Sequence, residues 1–264
     1  RWAISAPGEL VDGKYAQYYT MLAETSPVGT FAHEFAHDLG LPDLYNTATG
    51  GTVVWKWDLM DQGSWNNGGN TPAHISAWGK IQLNWINSTI INGIQLLNIN
   101  QIETNQEVYR LEDIYLNNSK EYFLIENRQL TGFDSYLPRS GLLIWHIDEE
   151  QGNNNGATKM VTPEWAGGAS NKDNAPFALD YDYPTFDSTS SPNTSRNDGN
   201  STTVFVRNIG LSGSSISANL SYGIGNGRLE PYLITTDQNV TQNQFFNFSA
   251  GIRCMGGECG NVSS

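Results

Sequence analysis

HEFAHDLGLPD, residues 33–43, combines two histidines, acidic residues and a helix stop at distances that suit one metal ion. Residues four apart on an α-helix differ by roughly 40° in azimuth, so His33 and His37 project from one face and can reach the same ion. Glu34 lies about 100° around from His33, which suits a general base acting on a water at the metal better than a third ligand. The spacing therefore predicts a catalytic metal centre on a helix.

The helix that carries the two histidines is predicted to run from about Pro27 to Leu39. Ser26 followed by Pro27 fits an N-cap and a first helical residue. The large apolar side chains of the segment fall on one stripe, nearly opposite the histidines, which predicts that this stripe packs inward while the histidines face a cleft. The stripe consists of Val28, Phe31, Ala32, Phe35 and Leu39.

The third metal ligand is predicted to follow the helix. Gly40 can adopt the left-handed conformation that ends a helix, and Pro42 prevents its resumption, so the chain must turn and can bring Asp43 back towards the ion. Three protein ligands and a water make a catalytic zinc site. His74 is the alternative third ligand, although a histidine at that position more often caps or packs.

The segment after the metal helix contains WDLMDQGSW, residues 57–65, which places Met60 between apolar residues and a turn at Gly63. This methionine could lie under the metal site, although methionine also fills irregular gaps in many protein cores. Thr71 and Pro72 repeat the cap pattern and predict a second helix over residues 73–85, packed behind the site.

From about Ile90 onward the pattern changes to short alternating apolar segments separated by Asn, Gly and Pro turns, which is typical of β-strands. Two later segments, residues 202–210 and 215–222, predict strands that could close a sandwich. His146 alternates with apolar residues on one face of its strand, so we expect a buried, hydrogen-bonded histidine rather than a ligand. The sequence therefore predicts an α+β protein.

The formal net charge of −13, with only 14 basic residues among 264, argues against nucleic acid or an anionic membrane as a partner. No stretch approaches the roughly 20 apolar residues of a membrane span. The acidic, Asn-rich composition suits calcium better, and two loops offer oxygen ligands, although a solvated loop is the alternative for both. The candidate calcium ligands are Asp148, Glu149, Asp180 and Asp182.

Several Asn-x-Ser/Thr sequons support export weakly, and Cys254 and Cys259, separated by MGGE, could form a disulfide or remain two free thiols. The opening RWAISAPGEL and the ending NVSS both resemble mid-domain sequence, so we expect a fragment of a longer protein. GIGNGR, residues 223–228, resembles a linker before an incomplete β module.

Five segments resemble the immune inhibitor A family of secreted metallopeptidases, over about residues 1–150 with looser similarity to residue 222. They are FAHEFAHDLGLPDLY, WDLMDQGSW, TPAHISAWGKIQLNW, YFLIENRQLTGFD and SGLLIWHIDE. The resemblance implies that His33, His37 and Asp43 bind Zn²⁺, that Glu34 is the base, and that Met60 belongs to a Met-turn, as in metzincins. It also implies an upstream lobe, absent here, that could be needed for activity.

Together these observations predict the C-terminal helical lobe of a zincin catalytic domain in residues 1–90 and an antiparallel β-sandwich in residues 91–222. Residues 223–264 would begin a further β module. The predicted function is that of a secreted or cell-surface zinc endopeptidase acting on proteins or peptides. The alternative is a noncatalytic adhesion or carbohydrate-binding protein with a structural zinc, although such a site needs no general base like Glu34.

Overall fold

The computed structural model describes residues 9–12, 14–16, 22–112, 120–222, 228–233 and 250–255. Helices and sheets coexist, as expected for an α+β protein. Two α-helices lie in the first third of the chain, α1 over Val28–Asp38 and α2 over Ala77–Gln82, and most of the remaining regular structure consists of β-strands.

Helix α1 begins one residue later than predicted. Pro27 is its N-cap, in an extended conformation, and its carbonyl accepts hydrogen bonds from the backbone N–H groups of Thr30 and Phe31. Ser26 is therefore not the cap. Gly40 adopts the positive φ predicted to end the helix, with a value of 107°. The Gly40 N–H donates to the His37 carbonyl and the Leu41 N–H donates to the Ala36 carbonyl, which is the glycine-dependent helix stop.

The prediction that the apolar stripe of α1 faces inward is wrong for every residue of the stripe except Ala32, which packs on the core. Phe35, for instance, is 60% exposed. The buried residues of α1 are Gly29 and Ala36 instead. A Cβ atom at position 29 would lie 1.9 Å from the Ser64 carbonyl oxygen, so the helix approaches the 62–69 segment along its small residues. Close backbone packing, rather than side-chain hydrophobicity, decides which face is buried.

The second predicted helix is also shorter than expected. Helix α2 has only six residues, and Ser76, whose side chain accepts the Gly79 N–H, is its N-cap. The backbone N–H groups before it bond to tertiary partners: Ala73 donates to the Gly63 carbonyl and Ser76 donates to the Asp58 carboxylate. Residues 73–76 therefore run irregularly, because these contacts use the donors that a helix would need.

The strands of the described residues form four sheets. Two are two-stranded hairpins, β1 with β2 and β11 with β12. A three-stranded sheet has the order β4-β10-β9, and a five-stranded sheet has the order β3-β5-β6-β7-β8. The pairings are antiparallel except for β3 with β5, which is parallel. The strands are β1 Glu9–Val11, β2 Lys14–Ala16, β3 Thr89–Ile90, β4 Gly93–Asn100, β5 Tyr109–Leu111, β6 Glu121–Arg128, β7 Gly141–Asp148, β8 Val161–Pro163, β9 Phe205–Arg207, β10 Ser215–Tyr222, β11 Arg228–Leu233 and β12 Ala250–Met255.

Strands β6 and β7 are buried on both faces and join two hydrophobic cores. Alternate residues of a strand point to opposite faces, so Leu124 and Trp145 belong to the core shared with the helical segment. Ile125 and Ile144 belong to the core shared with the three-stranded sheet. The first core therefore draws on residues on both sides of the boundary predicted near residue 90, and that boundary stays a prediction.

No helix among the described residues is long and apolar enough to cross a membrane. In the C-terminal segment, β11 and β12 pair over six residues, in the region where a β module was predicted. Cys254 lies in β12, whereas Cys259 lies outside the described residues, so the disulfide stays a prediction.

Candidate metal centre and catalytic cleft

Helix α1 and the turn after it bring three ligand-type atoms together. The Nε2 atoms of His33 and His37 lie 3.2 Å apart, and Asp43 Oδ1 lies 3.2 Å from the first and 3.0 Å from the second. Ligands bound to zinc at about 2.1 Å in a tetrahedron are separated by roughly 3.4 Å, so this triangle has nearly the size of one face of a tetrahedral site. Among the described residues, these three form the one group that could hold a metal ion.

The opposite nitrogens of both rings are fixed by backbone carbonyls. His33 Nδ1 lies 2.8 Å from the Leu59 carbonyl oxygen, and His37 Nδ1 lies 2.7 Å from that of Leu41. A carbonyl oxygen can only accept, so both Nδ1 atoms carry the proton and, in the neutral rings, both Nε2 atoms keep a lone pair. Metal-binding histidines in proteins are oriented in this way.

The resulting arrangement fits a cation. In the neutral rings, two Nε2 lone pairs face the buried Oδ1 atom of Asp43, and these two nitrogens could donate to that oxygen only if the rings were protonated. Three electron-rich atoms this close together repel one another unless a positive charge lies between them. The residues present therefore match the nitrogen and oxygen ligands of a zinc-type site.

The electrostatics of the metal-free site favour positive charge for the same reason. Burial by itself raises the pKa of Asp43, but hydrogen bonds to His33 and His37 outweigh it and hold that pKa far below its ordinary value. Burial lowers the pKa of His33, but Asp43 and the Leu59 carbonyl outweigh it and raise that pKa above its ordinary value. A proton and a metal ion would therefore compete for this site.

Glu34 lines the same cleft as His33. The cleft encloses about 280 Å³, and Tyr45, Gln62 and Trp65 contribute to its other walls. Glu34 therefore borders the same cleft as one member of the metal group, as the one-residue offset from His33 predicts.

Met60 is almost fully buried and lies in a turn whose backbone contacts the metal group at two places. The Leu59 carbonyl orients His33, and the Met60 carbonyl accepts the Leu44 N–H, next to Asp43. The assignment of Met60 to a Met-turn stays a prediction, but its backbone connects the first and third members of the metal group.

Two buried aspartates, which sequence reasoning missed, hold this turn. The carboxylate of Asp58 accepts the Met60 N–H at 2.5 Å and the Ser76 N–H at 2.6 Å, and Asp58 is completely buried. The sequence carries one signal for this role, since Asp58 and Asp61 flank Leu59 and Met60, and aspartates commonly accept backbone N–H groups in turns.

Asp61 holds a second loop against the turn. Its Oδ2 atom accepts the backbone N–H groups of Val53, Val54 and Trp55 at 2.8–2.9 Å, while Oδ1 accepts that of Gln62. Trp55 has φ of 59°, a left-handed conformation that converges these N–H groups on one oxygen. The loop that precedes the turn is therefore fixed beside the cleft.

A buried ion network joins the same region to β6. The Arg128 guanidinium donates to both carboxylate oxygens of Asp134 at 2.6 and 2.7 Å and to Glu126 at 3.1 Å. It also donates to the Trp57 carbonyl at 3.3 Å, immediately before the turn. Asp134 in turn accepts the His74 N–H. These contacts attach the segments around the metal group to the five-stranded sheet.

The remaining histidines lie outside the metal group. His74 lines a separate apolar cavity with Val28 and Leu59, and burial lowers its pKa to about 4, so it is neutral at ordinary pH. His146 is buried, with Nε2 2.8 Å from Glu121 and Nδ1 3.1 Å from Glu164. The expectation of a buried, hydrogen-bonded histidine at position 146 is confirmed.

The candidate calcium ligands do not converge within the described part of the chain. Asp148 accepts hydrogen bonds from Gln151 and Asn197 side chains. Glu149 accepts from the Tyr122 hydroxyl at 2.9 Å, and Asp180 accepts the Ser212 N–H. Asp182 ends a short turn in the left-handed conformation, which suits an aspartate without a metal. Their geometry gives no support to calcium binding.

Comparisons with known proteins agree with the site. Residues 6–90 match the family model of the immune inhibitor A peptidase M6 catalytic domain. The pre-pro-metalloprotease PrtV of Vibrio cholerae serotype O1 is 40% identical over 113 residues, which cover 40% of this chain and 12% of that protein. Immune inhibitor A of Bacillus thuringiensis subsp. alesti is 42% identical over 86 residues, which cover 28% of this chain and 12% of that protein. The chain thus spans about an eighth of these relatives' length.

Proposed function

Because residues 6–90 of this chain belong to the immune inhibitor A family of M6 peptidases, we propose that the chain is part of a secreted zinc-dependent endopeptidase acting on proteins and peptides. The observation that carries the proposal is the convergence of His33, His37 and Asp43 on one point, with both imidazoles held in the metal-binding tautomer. The metallopeptidase relatives support the same chemistry.

The proposed roles follow from the cleft. A Zn²⁺ ion bound to His33, His37 and Asp43 would lower the pKa of a water and polarise the scissile carbonyl. The Glu34 carboxylate, which lines the same cleft, would accept a proton from the attacking water and later deliver it to the nitrogen of the leaving amine. The carbonyls of Leu59 and Leu41 would keep the two imidazoles oriented throughout.

The architecture suits this proposal. Residues 1–90 would form the C-terminal part of a zincin catalytic domain, with Met60 in its Met-turn. Residues 91–222 would form a β-sandwich, which the second core between the three-stranded and five-stranded sheets supports. Residues 223–264 would begin a further β module. Secretion is part of the proposal through the family resemblance, calcium binding stays an expectation from the acidic composition alone, and no observation favours the adhesin alternative.

The test is zinc content and cleavage of casein by the full-length protein, compared with Glu34→Gln. We expect about one zinc per chain in both proteins and a loss of activity of roughly 10²-fold or more in the variant. A zinc-loaded wild-type protein no more active than Glu34→Gln would refute the peptidase assignment. Retained zinc in the variant separates the role of Glu34 from that of the three ligands.

A further inference from the structure

A second cavity, of about 370 Å³, lies on the other side of the loop that borders the catalytic cleft. Its walls carry two lysines, a tryptophan and several hydroxyl and amide groups. The residues that matter below are Asn46, Thr52, Lys159, Thr162, Trp165 and Lys172. Two ammonium groups in one cavity are unusual in a chain with a net charge of −13.

Lys172 is fixed in this cavity by neutral groups. Its Nζ atom donates to the Thr52 carbonyl at 2.7 Å and lies 3.2 Å from the Thr52 hydroxyl. It also lies 5.9 Å from the ring centroids of both Trp55 and Trp165. An ammonium group has three N–H donors, so one donor remains for a ligand.

Lys159 is also held by neutral groups, in this case two backbone carbonyls. Its Nζ atom donates to the Asn154 carbonyl at 3.2 Å and to the Gly156 carbonyl. Among the described residues, neither Lys159 nor Lys172 forms an ion pair. The nearby carboxylate of Asp173 bonds instead to the Trp55 indole N–H at 2.7 Å and lies 3.6 Å from Lys56 Nζ. Both positive charges in the cavity are therefore half-buried and uncompensated.

The loop of residues 45–53 is the wall shared by this cavity and the catalytic cleft. Tyr45 and Gly50 line the cleft, whereas Asn46, Thr49 and Gly51 line the cavity. Hydrogen bonds hold the loop in place, since Asn46 and Gly51 pair across it and the Asp61 carboxylate accepts the Val53 N–H at its end. An extended chain bound in the cleft can therefore reach the cavity by crossing one short loop.

We propose that the cavity containing Lys159 and Lys172 is a substrate subsite that binds the carboxylate of an aspartate or glutamate side chain several residues from the scissile bond. The inference rests on the proposed peptidase function and adds a preference for acidic substrates. The two free ammonium donors would bind the carboxylate oxygens, and the ring of Trp165 would cover the aliphatic part of the side chain.

A peptide series on the full-length, metal-loaded protein tests the subsite. One neutral parent peptide is varied so that each position in turn carries Glu or its neutral isostere Gln. We expect Glu to raise kcat/KM by about tenfold over Gln at one or two adjacent positions away from the cleaved bond. Equal rates for Glu and Gln at every position, with the parent peptide still cleaved, would overturn the subsite but leave the peptidase function intact. Failure to cleave any peptide would instead count against the peptidase function itself.

Lysine variants assign the preference to this cavity. Lys159→Met and Lys172→Met keep the aliphatic stems and should each bring the ratio of kcat/KM for the Glu and Gln peptides close to one. Because that ratio is taken within each variant, a change in its general activity cancels. Lys120→Met is the matched control, because Lys120 is exposed outside the cavity and its loss changes the net charge equally. A Glu preference that survives both cavity variants would refute the assignment.

Carbodiimide crosslinking gives a measurement that needs no lysine variant. The inactive Glu34→Gln protein is incubated with the preferred Glu peptide, and an amide bond then forms, with loss of water, between the peptide carboxylate and a contacting lysine. We expect mass spectrometry to find the crosslink at Lys159 or Lys172. Crosslinks at other lysines only, or binding of inorganic phosphate with no Glu preference among the peptides, would overturn the proposal.

Discussion

His33 Nδ1 lies 2.8 Å from the carbonyl oxygen of Leu59, although the two residues are 26 positions apart. The contact makes the turn around Met60 part of the metal centre, because it fixes the ring that presents Nε2 to Asp43. The same turn bonds to Leu44 through the Met60 carbonyl. The metal group is therefore organised by a helix and by a loop that supplies none of its three members.

The first prediction concerns Asp43. Replacing Asp43 by Asn removes the negative charge between the two Nε2 atoms, so we expect zinc affinity to fall by at least about tenfold and casein cleavage to be lost. Metal analysis after dialysis against a weak chelator measures the first effect. Asp38→Asn, an equal charge change on the exposed side of α1, should retain zinc; equal retention by both variants would show that Asp43 is not a ligand.

The second prediction concerns the buried carboxylate of Asp58. Asp58→Ala would leave the Met60 and Ser76 N–H groups without acceptors, at a cost of about 2–5 kcal/mol in the free energy of unfolding. Chemical denaturation measures the loss. Glu150→Ala, which truncates an exposed carboxylate, should change the stability by less than about 0.5 kcal/mol. Comparable values for the two variants would mean that Asp58 does not support the turn.

The third prediction concerns the ion network of β6. Arg128→Met would strand the buried carboxylates of Asp134 and Glu126, so we expect a loss of about 3–5 kcal/mol in stability. The pKa of Asp134, which burial raises but Arg128 lowers to about 2 in the native protein, should rise in the variant.

Arg207 provides the matched control for Arg128. Arg207→Met also removes an arginine from an ion pair, with Asp187, but its side chain is largely solvated and the pair should contribute less than about 1 kcal/mol. If thermal unfolding shifts equally in the two variants, burial does not distinguish the two pairs.

The fourth prediction concerns pH. Burial lowers the pKa of His146, but hydrogen bonds to Glu121 and Glu164 outweigh it and raise that pKa to about 9. Because the folded-state value exceeds the ordinary value of about 6.5, the stabilisation is complete below pH 6.5 and is lost as the pH rises to about 9.

The difference in unfolding free energy between pH 6 and pH 10 measures this effect. We expect the wild type to lose up to roughly 3 kcal/mol more than His146→Gln over that interval. A pH profile unchanged by the substitution would show that His146 is neutral in the folded protein.

The sequence by itself predicted the chemistry of the site, because local rules govern it. The i, i+4 spacing of His33 and His37 places both on one helix face, and Gly40 is the residue that permits the chain to reverse. Strand periodicity identified β6, β7 and β10 for a similar reason, since alternation along a strand is a local property. The resemblance to a metallopeptidase family rests on the same residues.

Only the tertiary structure decided which surfaces are buried and what holds the loops. The exposed stripe of α1, the shortened α2 and the carboxylates of Asp58 and Asp61 all depend on partners distant in sequence, which no local pattern encodes. Lys159 and Lys172 illustrate the point most clearly. They are unremarkable in the sequence, and the fold places both beside the loop that borders the cleft lined by Glu34, where their uncompensated charges carry the proposed subsite.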